Sequence, residues 1–201
     1  MTSSPSSALT DRLDARYTSS VMTTSSQPDP SRVSLLALDC DGVLTDGTIG
    51  YDGHGLERKF FHIHDGFAIR AWIREGGRVV VVTGRHSPAL RVRMDELGVD
   101  EVHENVGDKH AKLREIISAH KLSAEQVAFM GDDLPDLPAF EACGYALAPA
   151  NAASEVRERA NFVTSGSGGG GAVREAIEHL MRSSGRWDGV LARFNGQADR
   201  M

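Results

Sequence analysis

Short apolar runs alternate with segments of helical spacing along most of this chain, and that alternation narrows its possible folds more than any other feature of the sequence. The runs are VSLLALD (33–39), RVVVVTGR (78–85), EVHEN (101–105), QVAFMGDD (126–133), YALAPA (145–150) and NFVTS (161–165). The clearest of them are short, apolar without a polar alternation, and rich in branched residues, as strands covered on both faces are. Between them, Phe67, Ile69, Trp72 and Ile73 recur at helical spacing up to Gly76 and Gly77. A second helix is expected from Ser87, a cap, through Pro88 at its first position to Gly98, which stops it. Residues 107–121, 134–144, 154–160 and 171–183 read as further helices. Strands alternating with helices predict an α/β fold, a mostly parallel sheet flanked by helices on both faces. One departure from the alternation is expected: TIGY and ERKFFHI flank the turn-forming DGHG, which predicts a small β-hairpin.

Composition excludes several classes of function. The net charge of −6 lacks the basic footprint of a nucleic-acid binder. No apolar run is long enough to cross a bilayer. Cys40 and Cys143 stand in neither a CxxC nor a CxH spacing, which argues against zinc and fits a reducing, cytoplasmic location. Residues 1–32 are rich in Ser, Thr and Pro without an apolar signal core and are expected to be a disordered tail. The expected domain therefore spans 33–182, followed by an irregular C-terminal tail over 183–201. The SGSGGGG stretch at 165–171 reads as a loop, either flexible or closely packed.

In an open parallel sheet, ligands bind beyond the carboxyl ends of the strands. The polar residues expected there are Asp39 and Asp41 after the first strand, Thr83 and Arg85 after the second, and Asp132 and Asp133 after the fourth. Lys109 opens the helix after the third. Carboxylates crowded together repel one another unless a cation neutralises them, and hard oxygen ligands with phosphate suit Mg²⁺. A carboxylate can attack phosphorus, a second one two residues on can move the proton, and Thr, Lys and backbone N–H groups can hold phosphoryl oxygens.

These residues carry a resemblance. LLALDCDGVLTDG (35–47) resembles the first motif of the haloacid dehalogenase (HAD) superfamily, VVVVTGR its second, Lys109 its third and VAFMGDDLPD (127–136) its fourth, all in order. The resemblance implies a Rossmann-like HAD fold. It implies Asp39 as nucleophile and metal ligand, Asp41 as general acid/base and as metal ligand through its carbonyl, and Asp132 as the third metal ligand. Asp133 and Asp136 would then orient that loop and Lys109, while Thr83, Gly84 and Lys109 hold the phosphoryl group. The links from Asp39 to Thr83 and from Thr83 to Lys109 are too short for a cap domain.

The hairpin, HDGFAIR (64–70), TGR and GAVRE (171–175) together resemble the capless phosphatases of 3-deoxy-D-manno-octulosonate 8-phosphate (KDO 8-phosphate). That implies a homotetramer with sites closed by neighbouring subunits, hydrolysis of a sugar-acid phosphate toward lipopolysaccharide, and substrate contacts at Arg85, Asp65 and Gly66. The sequence departs at Gly170 and His64, where those phosphatases commonly carry basic residues, which leaves room for a 9-carbon keto-acid phosphate; Arg85 favours the 8-carbon one. A non-catalytic binding module on the same fold is the reading from another class. His62 and His64, on one side of the expected hairpin strand, read as a polar face or substrate contact rather than a metal pair. Cys40 reads as packing. Phe60, Phe61 and Ile63 read as hairpin core or subunit interface, and Trp187 and Phe194 as residues that could dock on a neighbour.

Overall fold

The computed structural model describes residues 27–195. Most of the expected N-terminal tail (1–26) and the last six residues of the C-terminal one (196–201) lie outside it. The first element is a single 3₁₀ turn, Pro30–Arg32, in which Ser31 N–H donates to the Asp29 carboxylate (Oδ1, 2.9 Å).

Six strands form one wholly parallel sheet: β1 (Leu35–Leu38), β4 (Arg78–Val82), β5 (Glu101–His103), β6 (Val127–Met130), β7 (Tyr145–Ala148) and β8 (Phe162–Val163), in the order β5-β4-β1-β6-β7-β8. Both faces of β1 are covered, so its residues alternate between two cores. Leu36 and Leu38 join the core under α1 (Ile63–Arg74), α2 (Pro88–Leu97), α6 (Ala172–Ser183) and α7 (Trp187–Phe194). Leu35 and Ala37 face the opposite core under α3 (Lys109–Ala119) and α4 (Leu137–Ala142). This is why the strands read as unbroken apolar runs: each side chain is inside, whichever way it points. A third cluster packs α5 (Ser154–Arg159) beside β7 through Ala148, Ala152 and Val156.

The caps expected for α2 are present: Ser87 Oγ accepts from Leu90 N–H at 3.4 Å, Pro88 opens the helix, and Gly98 closes it at φ 75°. The hairpin is real but shorter than expected. Only β2 (Gly50–Tyr51) and β3 (Glu57–Arg58) pair, across a turn in which Asp52 Oδ1 accepts from the His54 and Leu56 N–H groups. Of the segment read as the rest of its second strand, residues 59–62 are irregular and Ile63 opens α1: His62 is the N-cap and His64 lies in the first turn, so the two histidines do not share a strand face. Helix wins there because Asp65, Gly66, Ala68, Ile69, Ala71 and Trp72 bury one continuous side.

The irregular C-terminal tail is also corrected. Trp187–Phe194 is α7, and Trp187, only 2% exposed, is buried against its own chain with the Arg174 guanidinium 4.8 Å and that of Arg182 5.5 Å from its ring. Among the described residues no helix is long and apolar enough to cross a membrane.

Candidate active site

After β1 the chain goes to β4 on one side of it, and later crosses to β6 on the other. The strand order therefore reverses between β1 and β6, which leaves a crevice beyond their carboxyl ends. Asp39 follows β1 and Asp132 follows β6 by two residues; Thr83 follows β4, and Lys109 is the first residue of α3, whose N-cap is Asp108. Asp39, Asp41, Thr83, Gly84, Arg85, Lys109, Asp132, Asp133 and Asp136 all line one cavity of about 380 Å³. Nine of the eleven residues singled out from the sequence are thus brought together. The other two, Asp65 and Gly66, are buried at the start of α1 and do not line it.

The crevice holds more negative charge than its protein partners offset. Carboxylate oxygens of Asp39, Asp132 and Asp136 come within 4.8 Å of one another. Lys109 Nζ sits among them, 2.9 Å from Asp39 Oδ1 and 2.5 Å from Asp136 Oδ1. Only the second contact has hydrogen-bond geometry, and Asp39 Oδ1 is left buried without a hydrogen bond. Burial, then the charge of Asp136, push Asp39 up to about 6 against the pull of Lys109. Burial, then Asp136, Asp39 and Asp133, push Asp132 up to about 7. Burial alone would depress Lys109, but Asp39 and Asp136 outweigh it and hold the ammonium above its usual range. Asp136 is spoken for on both oxygens, since Oδ2 also accepts from the Asp132 and Asp133 N–H groups at 2.9 and 3.2 Å. It orients the loop and the lysine. Asp133 caps the turn below, accepting from Leu134 N–H at 2.8 Å.

This arrangement fits a divalent cation. Two crowded carboxylates with raised pKa values, Asp39 and Asp132, line one cavity, and the buried Oδ1 of Asp39 has no hydrogen bond to satisfy it. The loops hold them there at close quarters. A Cβ on Gly42, at φ 90°, would lie 2.0 Å from Asp132 Oδ2, so only glycine lets the loop after Asp39 meet the loop after β6. The glycine stretch at 165–171 proves closely packed. Gly169 N–H donates to Val43 O at 3.1 Å, and a Cβ on Gly168 would lie 1.7 Å from Gly42 O.

Asp65 secures that stretch. It lies on α1, yet its Oδ1 accepts from Arg174 N–H at 2.7 Å, capping α6, which has no side-chain cap of its own. From the other end, Glu175 accepts from the N–H groups of Ser165 and Gly166.

Two residues that pair with the crevice's Asp41 and Arg85 are absent from the motifs. Lys59, just past β3 with its side chain only 4% exposed, forms ion pairs with Asp41 and, at 3.0 Å, with Glu57. Glu57 in turn pairs with Arg85 at 2.5 Å, and Arg85 Nε lies 3.6 Å from Asp41 Oδ2. The hairpin thereby reaches over to the general acid/base candidate. A basic residue beside an apolar pair, Lys59 before Phe60 and Phe61, is the only signal the sequence carries for this.

A capless parallel sheet whose switch point gathers Asp39, Asp41, Thr83, Lys109 and Asp132 defines the class: these are the parts of a haloacid dehalogenase-like hydrolase. Residues 101–177 match the family described as haloacid dehalogenase-like hydrolase. The chain is 37% identical over 154 residues to the KDO 8-phosphate phosphatase KdsC of Haemophilus influenzae, covering 77% of this chain and 86% of that one. It is 35% identical to that of Escherichia coli K12, covering 78% and 83%. The solved KDO 8-phosphate phosphatase of Moraxella catarrhalis, in complex with magnesium, phosphate and KDO, is similar with a TM-score of 0.80 at 32% identity, covering 82% of this chain and 95% of that one. The chain belongs to the 3-deoxy-D-manno-octulosonate 8-phosphate phosphatase family.

Proposed function

We propose that the protein is a magnesium-dependent phosphatase that hydrolyses 3-deoxy-D-manno-octulosonate 8-phosphate through an aspartyl-phosphate at Asp39. The observation that carries this is the meeting of Asp39, Lys109 and Asp132 at the β1/β6 switch point, in a chain whose relatives bear that activity in their names. Asp39, Asp132 and the Asp41 carbonyl would hold Mg²⁺, which when bound offsets the crowded carboxylates and draws charge from the phosphoryl oxygens.

The chain's own residues do the rest. Asp39, ionised at neutral pH beside Lys109, attacks phosphorus in line, and the bond to the sugar oxygen breaks. Asp41 gives its proton to that leaving oxygen. It then takes a proton from the water that attacks phosphorus and frees Asp39 and inorganic phosphate. Thr83, the backbone at Gly84 and Lys109 hold the equatorial oxygens. Lys59 and Arg85 fix Asp41 in place. Assayed with Mg²⁺ over a panel of sugar phosphates, the protein is expected to favour the 8-carbon keto-acid ester and to lose turnover in EDTA. Preference for the 9-carbon ester would move the assignment to the second reading, which the replacement of basic residues by Gly170 and His64 keeps open.

We further infer a cytoplasmic homotetramer. Its support is the exposed apolar set on and after the hairpin, Ile49, Tyr51, Leu56, Phe60 and Ile63, which the chain itself leaves uncovered among the described residues. Docking of the C-terminal segment on a neighbour belongs to the same proposal, carried by Phe194 alone, since Trp187 is occupied within its own chain.

A further inference from the structure

A second cavity, of about 410 Å³, opens between α1, α2 and α7 and shares no lining residue with the acidic crevice. Four guanidinium groups line it, those of Arg70, Arg74, Arg93 and Arg193, in a chain whose net charge is −6. Its remaining walls are apolar, with Phe67 and Phe194 side by side at one rim, ring centroids 5.6 Å apart.

Two features of this cavity work against the stability of the empty protein. Arg70 and Arg74 stand one turn apart on the same face of α1, a like-charge spacing that destabilises a helix, and neither forms an ion pair among the described residues. Gly66, buried inside α1, is a poor helix former, and a Cβ there would lie 2.2 Å from Arg93 Nη2. The glycine thus lets the Arg93 guanidinium lie against the helix and complete the ring of positive charge. Glu96 and Glu75 pair with Arg93 and Arg193 and leave the charge of the other two uncompensated. A bound anion would relieve the repulsion, and guanidinium forks match phosphate and carboxylate oxygens.

We propose that this cavity is a second ligand site, for a small organic anion bearing a phosphate, phosphonate or carboxylate head on an apolar or aromatic body. The head meets Arg70 and Arg74, and the body lies against Phe67, Ala71 and Leu97. The volume is that of a small-molecule site.

The test is calorimetric titration of the full-length protein with benzylphosphonate, a non-hydrolysable probe, in EDTA, where the acidic crevice repels anions. Wild type is expected to bind one equivalent per chain, and Arg70→Gln/Arg74→Gln about tenfold or more weakly. The double variant should turn substrate over with Mg²⁺ as wild type does, which shows it folded. Arg193→Gln serves as an independent variant and is expected to weaken binding less, since Glu75 already pairs with that guanidinium. Inorganic phosphate and benzyl alcohol are expected to bind more weakly than the probe. Equal binding by wild type and the double variant, or no binding by wild type, overturns the site; inorganic phosphate or benzyl alcohol binding as tightly as the probe overturns the pairing of a charged head with apolar walls.

Discussion

Asp39 illustrates how one side chain's surroundings decide its chemistry. Burial and Asp136 raise its pKa, and Lys109 limits the rise to about 6, low enough for it to be ionised near neutrality. Replacing it with Asn removes the nucleophile and one charge from an overcrowded set. Asp39→Asn should therefore lose turnover by on the order of a thousandfold or more, while its metal-free melting temperature at pH 7.5 equals or exceeds wild type's. A variant with near-full rate would remove the assignment.

The same pKa shifts fix a pH dependence. Asp39 and Asp132 bind protons more tightly folded, at about 6 and about 7, than at the ordinary carboxylate value of the unfolded chain. Between about pH 4 and 7 the folded state holds more protons, so these two groups make the metal-free protein less stable as pH rises through that window. Mg²⁺ must compete with the same protons, so its stabilising increment grows with pH. Thermal melts in EDTA and in Mg²⁺ at pH 5 and 7.5 should show the larger gap at pH 7.5, and a gap larger at pH 5 would contradict the shifts. Asp39, both acids of the GDD segment and Thr83 were legible because each lies just past the end of an apolar strand. Lys59 was not, because it reaches Asp41 through the fold of the hairpin and not through any spacing.

At the level of elements, strands were the easiest to read. A strand covered on both faces needs no alternation, and β1, β4, β6 and β7 carry none. The start of α1 was misread because HIHD alternates like a strand, whereas its fate is set by the buried helical face downstream and by Asp65. That residue, expected at the substrate, instead caps α6 from another helix, a contact no local pattern encodes. Losing a cap costs about 0.5–2 kcal/mol, but here the cap also braces the glycine loop against the loop that carries Asp41 and Gly42. Asp65→Ala should lower kcat and speed hydrogen exchange at the Gly169 N–H, whereas Asp65→Asn, which keeps an accepting oxygen, should restore most of both. An Ala variant with a slowly exchanging Gly169 would leave Asp65 with a merely local role.

For the whole molecule, the absence of a cap follows from chain length between motifs, and something else must shield the crevice from water. The hairpin is too short to do so alone, and its apolar side chains face outward; Phe60 is 81% exposed. Light scattering is expected to give a tetramer for wild type and smaller species for Phe60→Glu, with turnover falling alongside. A fully active monomeric wild type would contradict the assembly. The C-terminal segment was the least legible part, because α7 is only eight residues long and just Trp187 and Val190 enter the core, with the Arg174 and Arg182 guanidinium groups against the Trp187 ring.

The most direct test of the mechanism looks for the covalent bond itself. Substrate is mixed with enzyme and Mg²⁺, the reaction is quenched during turnover, and borohydride reduces any acyl phosphate to an alcohol before peptide mass spectrometry. Homoserine at position 39 is the predicted result. Homoserine at another aspartate, or none during full turnover, would show that Asp39 does not carry the phosphoryl group.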